Sequence, residues 1–83
     1  MNYQTKFSTE ATKFFRRLDR HIQDRIKIKM REVTLDPFRF LEHYEGEGYK
    51  LRVGDYRMLI DVDMQRKILF VRVFDKRGRI YKR

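Results

Sequence analysis

From Tyr3 the chain alternates, with Tyr3, Thr5 and Phe7 on one side and Gln4 and Lys6 on the other. A period of two predicts a short strand over 3–7. The period then lengthens. Ala11, Phe14, Phe15 and Leu18 fall at i, i+3, i+4 and i+7, one stripe of a helix. Ser8 or Thr9 is placed to cap it, and Glu10 suits its first turn. A second stripe follows at Ile22, Ile26, Met30 and Val33, with Asp19 as its candidate cap, while Arg25, Lys27, Lys29 and Arg31 mostly point elsewhere. Asp36-Pro37 ends this helix, because the residue before a proline is pushed out of the helical region.

Residues 38–47 carry no clean period. Phe38, Phe40 and Tyr44 stand among acids, followed by Gly46 and Gly48, and the reading is an irregular connection holding at most a short helical turn. From Tyr49 the period is again two. Strands are predicted over 49–53, 56–63 and 67–74, with turns at Gly54-Asp55 and Met64-Gln65-Arg66. Asp75 to Gly78 reads as a loop and Ile80-Tyr81 as a short final strand. The expected fold class is α+β, in the order β-α-α-β-β-β. A helix hairpin packs on one face of a small antiparallel sheet. No further helix is available for the other face, which should carry polar side chains, and the candidates are long cations.

Composition bounds the rest. The 83 residues are expected to form one domain spanning 1–83, with 41% hydrophobic residues, enough for one core. No apolar run approaches the roughly 20 residues of a membrane-spanning helix, and the first residues lack a signal-peptide core, so a cytoplasmic protein is expected. The chain has no cysteine, which removes disulfides, thiolate nucleophiles and cysteine-based zinc sites.

The net charge is +9, and its distribution says more than its size. Residues 1–49 hold ten Lys/Arg against eight Asp/Glu, whereas residues 50–83 hold eleven against four. Such asymmetry implies a polyanionic partner for the second part, nucleic acid or an acidic protein.

Candidate chemistry sits on the same stretch. On the strand at 49–53, Leu51 and Val53 share one face and Lys50 and Arg52 the other, about 7 Å apart given a rise of roughly 3.3 Å per residue. That spacing suits neighbouring phosphates; the plainer reading is a solvated strand face. Arg57, just past the turn, can approach Arg52 or Lys50, or pair with Asp55, Asp61 or Asp63. The ending Lys76-Arg77-Gly78-Arg79-Ile80-Tyr81-Lys82-Arg83 is very basic. Beside cations the anionic form of a phenol is favoured, so Tyr81 is a candidate for proton exchange, for stacking on a base, or simply for covering the core.

Absences narrow the reaction. His21 and His43 have no evident catalytic partner, Asp61-x-Asp63 alone is a weak metal signal, and phosphate loops and Ser/His/Asp arrangements are missing. An enzyme built here works with Lys, Arg and Tyr. Cleavage of RNA allows that: the 2′-OH attacks the adjacent phosphorus, arginines stabilise the developing charge, and a lysine crowded by cations serves as base.

These pieces, in order, resemble the RelE family of toxin–antitoxin systems. The resemblance rests on Phe7-Ser8-Thr9-Glu10-Ala11, the helix pair ending at Asp36-Pro37, and Gly48-Tyr49-Lys50 running into Leu51-Arg52-Val53-Gly54-Asp55-Tyr56-Arg57. It is completed by Lys76-Arg77-Gly78-Arg79-Ile80-Tyr81-Lys82. It implies a toxin that cleaves messenger RNA in the ribosomal A site, without metal or cofactor, and that is held inactive by a RelB-like antitoxin. Operator DNA would be reached only through the antitoxin complex. The catalytic positions it implies are Lys50, Arg52, Arg57, Arg77 and Tyr81. Arg57 and Arg77 would hold the scissile phosphate, Tyr81 would orient or stack on the substrate, and Lys50 or Arg52 would occupy the place of the proton acceptor. Arg52 stands where the family commonly has lysine; arginine keeps its proton, which moves the base role to Lys50 or elsewhere. Asp75 stands where glycine is frequent and is placed to pair with Arg77. Arg66, Lys67, Arg72, Lys76, Arg79 and Lys82 are read as attracting ribosomal RNA. Two other functions fit the same features: a ParE-like toxin that inhibits DNA gyrase by binding, and an RNA- or ribosome-binding module without catalysis.

Overall fold

The computed structural model describes residues 2–46 and 48–76. Arg77, Arg79, Tyr81 and Lys82, with the expected strand at Ile80-Tyr81, lie outside the described residues. The elements are β1 (Gln4–Phe7), α1 (Thr9–Arg16), α2 (Arg20–Leu35), α3 (Pro37–Phe40), β2 (Glu42–Glu45), β3 (Gly48–Val53), β4 (Tyr56–Asp63) and β5 (Ile68–Lys76). The described strands form one sheet in the order β1-β5-β4-β3-β2, and the fold is α+β.

The helix hairpin forms where the apolar stripes place it. Ser8 is the cap of α1, its Oγ accepting from the Ala11 N–H at 3.0 Å. The same hydroxyl donates to the Arg72 carbonyl at 2.8 Å and so ties the start of α1 to β5. Asp19 occupies the cap position of α2, but its side chain makes no capping bond. Ala11, Ile26, Met30 and Val33 meet Leu51, Val53, Met58, Ile60, Val62, Leu69, Val71 and Phe74 of the sheet in one buried cluster. Phe14 seals its edge, 4.9 Å between centroids from Phe74. Each Val, Leu, Ile, Met or Phe of this cluster contributes about 1.5–3 kcal/mol when fully buried.

Four details differ from the sequence expectation. The segment read as an irregular connection holds, beyond the expected helical turn (α3), the edge strand β2. All four β2 residues are exposed, so no alternation marked the strand. The sheet is mixed, since β1 pairs parallel with β5. Strand direction depends on where the helix hairpin returns the chain, which periodicity does not encode. Strand β5 extends through Asp75 and Lys76 because these residues pair with Arg57 and Tyr56. At the other end of β5, Lys67 lies in the turn with φ 61°.

The β3–β4 hairpin carries the register that matters. Its turn begins at Gly54, with φ +60°. A glycine there escapes the steric penalty of the left-handed region. A Cβ at this position would also come within 3.2 Å of the Arg25 guanidinium.

Candidate active site

The pleat sorts the hairpin's side chains. Leu51, Val53, Met58, Ile60 and Val62 enter the core, so Lys50, Arg52, Arg57, Leu59 and Asp61 stand on the opposite face. Arg52 pairs directly with Arg57, and Arg57 in turn with Asp75. One residue pair along, Glu42, Lys50, Leu59 and Val73 make the neighbouring row across β2, β3, β4 and β5. Cross-strand neighbours have Cβ atoms about 4.5–5.5 Å apart, so two guanidinium groups share one patch.

The face is not uniformly charged. Its cations gather beside the β3–β4 turn. Leu59, Val73 and the exposed Phe70 form an apolar middle, and Asp61 and Asp63 lie toward the far end. Arg72 is the extra residue of a β5 bulge, where Val71 and Val73 pair with the adjacent Ile60 and Leu59. Its Nε lies 2.9 Å from Asp61 Oδ2. Asp63 Oδ1 accepts from the N–H groups of Gln65 and Arg66 and so serves the turn. Asp61 and Asp63 thus have separate structural partners, and among the described residues no group of three or more potential metal ligands occurs.

At the basic end lies a cleft of about 240 Å³, lined by Phe40, Glu42, Lys50, Leu51, Arg52 and Arg57. Three of the five expected catalytic residues therefore converge, while Arg77 and Tyr81 fall outside the described residues. Lys50 Nζ lies 3.9 Å from Glu42 Oε1 and 5.9 Å from the centroid of the Tyr44 ring. Glu42 and Tyr44 were missed from sequence because they sit on the strand that lacks alternation. The turn signal at Gly46 and Gly48, between two aromatic-bearing runs, was the one available hint of a hairpin there.

Among the other expected cations, Lys76 ends β5 opposite Tyr56, at the cleft's end of the sheet. Arg66 and Lys67 lie at the opposite end, beyond Asp63, and the Lys67 ammonium rests 5.0 Å from the Tyr3 ring. A further recess continues from Arg52 around the turn to Arg25, Lys29 and Glu32 of α2. Neither histidine lines the cleft. His43 is engaged with the Gly46 carbonyl at 3.0 Å and with the Tyr49 ring.

A half-enclosed cleft with two arginines and a lysine is suited to hold a phosphodiester and to stabilise charge building on its oxygens. The comparisons with known proteins agree with a toxin scaffold. The family model for the ParE toxin of type II toxin–antitoxin systems, parDE, matches residues 5–80.

This chain belongs to that family, within the RelE/ParE superfamily of toxins.

The toxin's fold is also that of solved RelE structures. The RelE–RelB complex of Pyrococcus horikoshii OT3 is similar with a TM-score of 0.79 at 23% identity, over 95% of this chain and 99% of that one. RelBE2 of Mycobacterium tuberculosis gives a TM-score of 0.80 at 20% identity, over 93% and 100%. The isolated E. coli RelE toxin gives 0.77 at 25% identity, over 93% and 86%. No curated protein matches the chain. The chain is thus a toxin of a toxin–antitoxin system with a RelE-like structure.

Proposed function

We propose that this toxin is an endoribonuclease that cleaves messenger RNA in the ribosomal A site, without metal, and so stops translation in the cytoplasm. The observation that carries the reading is the convergence of Lys50, Arg52 and Arg57 on one cleft, with Arg52 and Arg57 in direct register. The 2′-OH attacks the neighbouring phosphorus, and negative charge grows on the phosphoryl oxygens and the leaving 5′ oxygen. Arg57 and Arg52 hold the phosphate and neutralise that charge without changing protonation state. By resemblance, Arg77 adds a second hold on the phosphate and Tyr81 orients the substrate base. Lys76, Arg79 and Lys82, with Arg66, Lys67 and Arg72, extend attraction to ribosomal RNA.

A RelB-type antitoxin is the proposed regulator. The solved relatives include complexes of RelE with RelB, and an acidic, amphipathic segment suits a face whose cations border an apolar middle. Operator DNA would be contacted through that complex.

A second reading has one specific observation in its favour, the description of the matching family as a ParE toxin. In that reading the same face binds DNA gyrase and inhibits it without chemistry. Two assays run on one preparation separate the readings. The ribonuclease reading expects cut messenger RNA on programmed ribosomes and unaffected gyrase supercoiling. Intact RNA together with blocked supercoiling would replace it with the gyrase reading.

A further inference from the structure

The cleft also contains a group of the opposite charge. Lys50, Arg52 and Arg57 are donors. An arginine keeps its proton, and a lysine must lose one before it accepts another. Among the described residues Glu42 is the only carboxylate lining the cleft, and a carboxylate accepts a proton as it stands. It reaches the cleft from β2, where it pairs across the ladder with Lys50. Its Oε1 lies 3.9 Å from Lys50 Nζ, and its side chain is 76% exposed against 29% for the lysine. An exposed ion pair of this kind contributes at most about 1 kcal/mol to stability, so holding the fold together is a weak reason for a carboxylate there. The groups facing it are Lys50 and Arg52 of β3, Arg57 of β4 and, on its own strand, Tyr44 beside the lysine.

We propose that Glu42 is the general base of the cleavage and Lys50 its general acid. The inference rests on the ribonuclease reading. In the step, the Glu42 carboxylate takes the 2′-OH proton as the O2′–P bond forms. The P–O5′ bond breaks, and the leaving 5′ oxygen takes a proton from the Lys50 ammonium. The products are a 2′,3′-cyclic phosphate and a 5′-hydroxyl. Glu42 is left protonated and Lys50 neutral, and transfer of one proton between these neighbours restores both. Arg52 and Arg57 keep their charge throughout. The assignment removes the difficulty that Arg52 cannot act as a base.

The test uses the whole chain on ribosome-bound messenger RNA, with Glu42→Gln, Glu42→Asp and Lys50→Met. A second RNA carries sulfur in place of the bridging 5′ oxygen at the cut, a leaving group that needs no proton. Glu42→Gln should slow cleavage roughly 10²-fold or more. Glu42→Asp should keep part of the activity. The sulfur substrate should rescue Lys50→Met and leave Glu42→Gln slow. Cleavage by Glu42→Gln within a few-fold of wild type overturns the assignment while leaving the ribonuclease reading in place. Absence of cleavage by the wild type itself defeats the ribonuclease reading, and the assignment with it.

Discussion

Arg57 stands between unlike neighbours, and the one on its β5 side, directly across the ladder, is the carboxylate Asp75. On its β3 side it meets Arg52. The arginine proposed to hold the scissile phosphate is thus flanked by a second cation that supports that role and by an acid that competes with it. Asp75 also turns part of its carboxylate to the backbone, accepting from the Lys76 N–H at 2.7 Å. The strand register sets Asp75 against Arg57; its expected pairing with Arg77 lies outside the described residues.

Neutralising that acid should sharpen phosphate binding. Asp75→Asn is expected to tighten binding of an RNA with a 2′-deoxy nucleotide at the cut by roughly two- to fivefold at low salt, the scale of a partly exposed charge pair. The check is a fluorescence anisotropy titration at several salt concentrations. Binding that is unchanged or weaker would mean Asp75 positions Arg57 rather than opposing it.

Arg72 should behave differently from the cleft arginines, although it stands on the same sheet face. Its guanidinium is held 2.9 Å from Asp61, and that charge is already answered within the protein. Arg72→Ala is expected to change the cleavage rate by less than about fivefold, the range of an exposed ion pair. Rate measurements beside Arg57→Ala decide it, since the latter should lose far more.

The hairpin turn offers a test of stability. Gly54→Ala forces a side chain into a left-handed backbone position, at about 1–2 kcal/mol. It also sets a Cβ 3.2 Å from Arg25 Nη2. Chemical denaturation should show a loss of at least about 1 kcal/mol. Because Arg52 and Arg57 flank this turn, the variant should also lose cleavage beyond its loss of folded protein.

Much of this architecture was legible in the order of residues, for identifiable reasons. The stripes from Ala11 to Leu18 and from Ile22 to Val33 are long enough to mark helices, and the alternation from Leu51 to Val62 assigns each side chain to a face. From that alone Lys50, Arg52 and Arg57 could be placed together, and they line one cleft. Glu42 was hidden because an edge strand exposed along its whole length has no apolar period to read. The parallel pairing of β1 with β5 and the Arg57–Asp75 register were hidden as well. Both depend on contacts between residues distant in sequence, and the second also on a bulge at Arg72 that shifts the ladder by one residue.

The Arg57 cleft is proposed to cut messenger RNA on the ribosome. The direct measurement maps the 5′ ends of messenger RNA on programmed ribosomes, with chelator present, for the wild type, Arg57→Ala and Arg77→Ala. Cuts within the A-site codon are expected for the wild type, and a rate lower by about 10²-fold or more for each variant, the scale of losing one group that stabilises transition-state charge. Intact messenger RNA with a folded wild type, or equal cutting by a folded Arg57→Ala, would contradict it.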